Sequence, residues 1–188
     1  MSMIDGTALR ASIDYPGGGA CIMSGFPGLE IGVEGSAYIS PEQLGETMAA
    51  LAERGVARMV ILAEEDELPA GAFADVQWVA QSRGVALEFL SIPDFSTPGT
   101  AFMTRWRDLS PALHSLLAQG GTFACACQYG AGRSGVLTAM ILIEAGLPAL
   151  AAIARLRQDF PEAVENSAQE DWLIAYAEEL TTRQAAAR

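Results

Sequence analysis

The 188-residue chain has 23 acidic residues against 11 basic ones, every one of them Arg, and a formal charge of −12. Such a surface disfavours nucleic acid and anionic membrane as partners. A 51% hydrophobic content and this length fit one globular domain over residues 1–188, with a tail at 182–188 expected to fray.

Three cysteines, an odd number in a chain this long, make no disulfide framework. The stretch Met1-Ser2-Met3-Ile4-Asp5 has neither the basic region nor the apolar core of a signal peptide. A reducing, cytoplasmic setting is the expectation that follows. Residues 136–154 are apolar enough to resemble a membrane span, but Glu144 interrupts them and Gly146-Leu147-Pro148 breaks them into two buried helices.

In chain order, Leu9 to Ile13 and Ala20 to Met23 have the pattern of two short strands around a Tyr15-Pro16-Gly17-Gly18-Gly19 turn. The Gly-rich run from Ser24 to Ile39 shows no clean period and is expected to be loop. Ser40-Pro41-Glu42-Gln43 then gives an N-cap, a Pro at the first helical position and a Gln three residues after the cap, opening a helix that stops at Gly55. A buried strand, Arg58 to Leu62, leads into Glu64-Glu65-Asp66-Glu67. Like-charge runs usually form solvated loops; the sharper reading is a rim that repels acidic peptides, because loops after parallel strands face the ligand crevice. A helix from Ala72 to Arg83, a strand from Val85 to Leu90, a helix from Thr100 to Gln119 broken at Ser110-Pro111, and a last helix capped by Ser167-Ala168-Gln169-Glu170 complete the pattern. His114, the single histidine, is expected on a helix surface. Alternating strands and helices predict an α/β fold: a central, mostly parallel twisted sheet of about five strands with helices on both faces.

The densest signal is Cys127-Gln128-Tyr129-Gly130-Ala131-Gly132-Arg133-Ser134-Gly135, between a strand-like Gly121 to Ala126 and a helix-like Val136 to Ile143. Gly130 and Gly132 allow positive φ, so backbone N–H groups of Gln128, Tyr129, Gly130, Ala131, Gly132 and Arg133 can converge on an anion at a helix N-terminus. The same field favours the thiolate of Cys127, and Arg133 offers a fork for two oxygens of a tetrahedral anion. Alone, a cysteine at a strand end is more often a small buried hydrophobe, the reading kept for Cys125. The Gly-x-Gly-Arg-Ser turn reverses that for Cys127.

This stretch resembles the signature loop of the cysteine-dependent protein tyrosine and dual-specificity phosphatases, in which Cys, five residues, Arg and Ser or Thr recur in that order. An Asp on a loop upstream is the second signature, and Ser91-Ile92-Pro93-Asp94-Phe95-Ser96-Thr97-Pro98-Gly99 stands in that place. The order of acid before nucleophile is similar to the dual-specificity branch. The flanks Ser24-Gly25-Phe26-Pro27-Gly28 and Ala163-Val164-Glu165-Asn166-Ser167-Ala168-Gln169 look most like the kinase-associated phosphatase group. The resemblance implies hydrolysis of phosphate monoesters through a cysteinyl-phosphate, with phosphotyrosine as substrate and phosphoserine and phosphothreonine left open. It makes Cys127 the nucleophile, Arg133 the oxyanion clamp, Asp94 the general acid, Ser134 a donor to the sulfur and Gln169 a group that positions water.

One departure stands out. The family normally places His before the nucleophile, where this chain has Ala126, which implies a weaker thiolate and slower turnover and keeps open a phospho-ligand binding module that does not turn over. Thiol redox work by Cys125-Ala126-Cys127, or by Cys21 as a resolving partner, is a third and weaker reading. No metal or cofactor is expected. With no Lys or Arg among the five bracketed residues, the expected partner is a phosphorylated protein or a small phosphomonoester, with phosphate ion in the site.

Overall fold

The computed structural model describes residues 7–186, so the readings made on Met1–Asp5 and on residues 187–188 lie outside the described residues. Seven strands and six helices follow one another: β1 (Leu9–Asp14), β2 (Ala20–Gly25), β3 (Leu29–Ile31), β4 (Ala37–Ile39), α1 (Pro41–Glu53), β5 (Val56–Ile61), α2 (Ala72–Ser82), β6 (Ala86–Phe89), α3 (Thr100–Ala118), β7 (Thr122–Cys127), α4 (Gly132–Glu144), α5 (Ala149–Asp159) and α6 (Ser167–Ala186). A five-stranded sheet has the order β1-β2-β7-β5-β6. β7 is central and parallel to both neighbours, β5 is parallel to β6, and β1 joins antiparallel at one edge.

Period-two alternation along β7 divides the interior into two layers. Phe123, Cys125 and Cys127 face a core shared with α3, α4, α5 and α6. Ala124 and Ala126 face the opposite core, where Leu44, Met48 and Leu51 of α1 meet Val76 and Ala80 of α2. Helix α4, buried along nearly its whole length, lies directly behind the sheet. The helical run breaks between α4 and α5 at Gly146, whose φ is 103°, with Pro148 as the cap of α5. Among the described residues no helix is long and apolar enough to cross a membrane.

Several expectations need correction. The run from Ser24 to Ile39 is not all loop, because β3 and β4 pair as a small separate antiparallel ribbon. α3 is not broken at Ser110-Pro111: the helix is continuous through Pro111. Buried Trp106 and Leu113 anchor it on both sides of the proline, and that packing outweighs one lost backbone bond. The cap of α6 is Asn166 rather than Ser167, since the Gln169 backbone N–H donates to Asn166 Oδ1 at 3.0 Å. α6 continues to Ala186, through most of the tail expected to fray.

Candidate active site

The C-terminal ends of β5, β6 and β7 and the N-terminal end of α4 meet at one edge of the sheet, the crevice side of a parallel α/β fold. Between Cys127, which ends β7, and Gly132, which starts α4, the chain makes a tight turn with Gly130 at φ 101°. Any side chain at Gly130 would also strike β2, its Cβ falling 2.6 Å from Gly25 N. Gly132 serves differently from expectation. It has no positive φ; it is small because Glu165 lies against it, and a Cβ there would fall 1.7 Å from Glu165 Oε1.

Cys127 Sγ sits at the foot of this turn, 3% exposed, and accepts the Gly130 backbone N–H at 3.2 Å. Ala126 points into the opposite apolar layer, so no imidazole stands behind the sulfur. Ser134 is also placed otherwise than expected: its hydroxyl donates to Ser24 O at 3.3 Å, bracing α4 against β2. Tyr129, half exposed on the turn, carries the Arg10 guanidinium 4.8 Å from its ring centroid, and Arg10 Nε donates to Tyr129 O at 2.9 Å. Gln128 O accepts the Phe26 N–H at 3.1 Å, which fixes the turn to the chain leaving β2.

Arg133 has a side chain 1% exposed. Its Nη1 donates to Glu67 Oε1 at 2.5 Å and to Ile92 O at 3.1 Å, and its Nη2 is 2.9 Å from Asp94 Oδ1. Nε is buried and unpartnered. A buried donor without an acceptor costs free energy of about 1–3 kcal/mol, so Nε is left able to take an acceptor from outside the chain. Glu67 is the residue that sequence reasoning missed. It ends a single 3₁₀ turn, Glu65–Glu67, and its carboxylate also accepts the Glu64 N–H at 2.8 Å. The acidic run is therefore not merely a solvated loop, since it hands one carboxylate to the arginine and leaves Glu65 and Asp66 exposed beside it.

Asp94 lies on the loop between β6 and α3, in the expected place. Its neighbour Phe95 has φ 54° and is exposed, a strained turn that the last loop of the fold holds down. Asn166 Nδ2 donates to Phe95 O at 3.1 Å, and Gln169 Nε2 donates to Ser96 O at 3.2 Å. Gln169 is fully buried, and its Oε1 accepts the Glu165 N–H at 3.1 Å. With both ends engaged it ties the Asp94 loop to α6. Glu165 is the carboxyl laid against Gly132 at the start of α4, and burial and the charge of Asp94 raise its pKa against opposing help from Gln169 and Arg133.

The remaining cysteines form a separate cluster. Thr138 Oγ1 lies 3.2 Å from Cys21 Sγ and 3.4 Å from Cys125 Sγ. Cys21 thus neighbours Cys125, a placement the sequence did not show, and burial pushes its thiol well up. His114 is not a free surface residue either. It sits between Tyr15, with Oη 2.9 Å from Nδ1, and Glu144, with Oε2 2.7 Å from Nε2, away from the bowl. Among the described residues no group of His, Cys, Asp and Glu is arranged to hold a metal ion.

A central β7, a cysteine-bearing turn and a buried α4 behind it make this the fold of the dual-specificity and protein tyrosine phosphatases. The chain belongs to the family described as "Polymorphic toxin system, DSP-PTPase phosphatase", whose model matches residues 34–147. No curated protein sequence matches it. Among solved structures it is similar to kinase-associated phosphatase with its catalytic cysteine replaced by serine, at 18% identity and a TM-score of 0.70 over 86% of this chain and 88% of that one. It is similar to Tk-PTP in its active form, at 24% identity and a TM-score of 0.65 over 94% and 99%. PTPMT1 in complex with PI(5)P is similar at 16% identity and a TM-score of 0.64 over 87% and 94%.

Proposed function

We propose that the protein is a cysteine-dependent phosphatase that hydrolyses phosphomonoesters on proteins, phosphotyrosine first among them, through a cysteinyl-phosphate. The observation that carries this reading is the buried, unpartnered Nε of Arg133 in the first turn of α4, the helix that follows the Cys127 turn. A phosphate oxygen there supplies its missing acceptor, and a second oxygen replaces Asp94 on Nη2. Cys127 sulfur then attacks phosphorus, the S–P bond forms as the bond to the leaving oxygen breaks, and Asp94 gives that oxygen its proton. In the second step water attacks phosphorus, its proton passes to Asp94, the S–P bond breaks and the thiolate returns. Arg133 and the turn's N–H groups stabilise charge on the non-bridging oxygens in both steps.

Ser134 and Gln169 act at one remove in this scheme, Ser134 by holding α4 to β2 and Gln169 by holding the Asp94 loop. The likeness to the kinase-associated phosphatase group rests on the flanking motifs. A second reading, a module that binds phosphate without turnover, is favoured by Ala126, which leaves the sulfur without an imidazole behind it. Hydrolysis of an aryl phosphate separates the two. The enzyme reading expects turnover that is lost in Cys127→Ser and reduced about 10²–10³-fold in Asp94→Ala; phosphate binding with no turnover by the wild type favours the module.

A further inference from the structure

The mouth of the phosphate bowl is acidic on three sides. The β5–α2 connection brings Glu67 onto Arg133 and leaves Glu65 and Asp66 exposed beside it. The β6–α3 loop brings Asp94 onto the same guanidinium. The α5–α6 loop lays the Glu165 carboxyl against Gly132. The arginines that touch the turn are both engaged, Arg133 by these carboxylates and Arg10 by the ring and carbonyl of Tyr129. Inside this acidic ring one buried, unpartnered donor, Arg133 Nε, calls for an anion.

A phosphate must therefore cross a negative rim to reach one recessed cation. Surrounding anions raise the free energy of any ligand whose charge is negative throughout, and they lower it for a ligand that carries cations around its phosphate. Building on the phosphatase reading, we infer that the substrate of this site is a phosphorylated residue flanked by Lys or Arg in a basic peptide segment. The phosphate enters the bowl and the flanking cations lie over Glu65, Asp66 and Glu165. Polyanionic headgroups meet the same carboxylates with nothing to offset them and are selected against.

Three phosphotyrosine peptides of matched length, with Lys/Arg, neutral or Asp/Glu flanks, test this. Wild-type kcat/KM is expected to favour the basic over the acidic peptide by about tenfold or more at low salt, a ratio that shrinks as NaCl is added. The double substitution Glu65→Lys, Asp66→Lys is expected to cut that ratio severalfold and, because the same rim opposes any anion, to raise kcat/KM on a small aryl phosphate rather than lower it. Equal rates for basic and acidic peptides, or a ratio untouched by the double substitution, would overturn the inference. Faster release of phosphate from a soluble inositol phosphate than from the basic peptide would overturn it too. If the wild type turns over none of these compounds, the phosphatase reading fails, and fluorescence anisotropy with labelled peptides and Cys127→Ser still decides the charge preference. Tighter binding of the basic peptide keeps it, and equal affinities sink it.

Discussion

Two charged side chains stand at opposite ends of α4, Arg133 buried and Glu144 partly buried, and each is at the end where the helix dipole disfavours it. Arg133 is in the first turn, at the positive end, and Glu144 is the last residue, at the negative end. Glu144 is fully answered. Its carboxylate accepts from Trp106 Nε1 at 2.6 Å, from His114 Nε2 at 2.7 Å, and from the hydroxyls of Ser110 and Tyr176. Arg133 is answered in part, by Glu67, Asp94 and Ile92 O, and keeps Nε in reserve. A buried charge whose hydrogen-bonding capacity is exhausted holds structure together, here α3 and α6 onto α4. One with a donor left over is free to take a ligand oxygen, as the proposed phosphatase chemistry requires.

Arg133→Lys should show the largest effect. Lysine keeps the charge but has no planar fork and no Nε donor at that height, so kcat/KM on an aryl phosphate is expected to fall about 10³-fold with little change in Tm. An unchanged kcat/KM would remove the distinction between the two ends of α4.

Glu144→Ala should do the reverse, costing about 3 kcal/mol in denaturant unfolding because four donors lose their acceptor, with kcat per folded molecule kept. The pH dependence follows from the same group. Burial raises the Glu144 pKa, but the bonds from His114, Ser110, Tyr176 and Trp106 outweigh it and hold the pKa below the ordinary value of 4.5. A depressed folded-state pKa gives stability that is present above the unfolded value and lost as pH falls through the folded one. Glu144→Gln is therefore expected to flatten the acid limb of stability measured below about pH 5. An acid limb as steep as wild type would mean that other carboxylates carry it.

Glu67→Gln sharpens the comparison from the other side. The amide can still accept from Nη1 but no longer neutralises it, so an effect of about tenfold, mostly in kcat/KM, is expected. The smallest effect belongs to Glu165→Gln. The raised pKa of Glu165 means its charged form is disfavoured in the fold. That penalty is absent below the unfolded pKa and appears as pH rises through the folded one, so the amide should raise Tm slightly at pH 7 and not at pH 4. Differential scanning fluorimetry at the two values checks it.

The sequence makes the strand, turn and helix around Cys127 legible because three demanding residue types sit at fixed spacing, with glycines where backbones come together. Asp94 is legible from its order in the chain. What the sequence hides is contact between distant loops. Glu67 lies among three other acidic residues, and nothing local distinguishes the one that reaches Arg133, although an acidic residue at the C-terminal end of a buried strand was a usable hint. Ser134 and Gln169 stand out in the sequence as positions, but their hydrogen bonds to Ser24 O and Ser96 O join segments far apart along the chain. The continuity of α3 through Pro111 was hidden for a similar reason, since the local signal for a break is overridden by packing of Trp106 and Leu113.

Rapid-quench intact mass spectrometry of the protein mixed with an excess of aryl phosphate tests the central claim most directly. The account predicts one phosphoryl group transiently bound to Cys127, absent from Cys127→Ser and from Arg133→Ala. Release of phosphate by the wild type with no such adduct, or with the adduct on another residue, would contradict it.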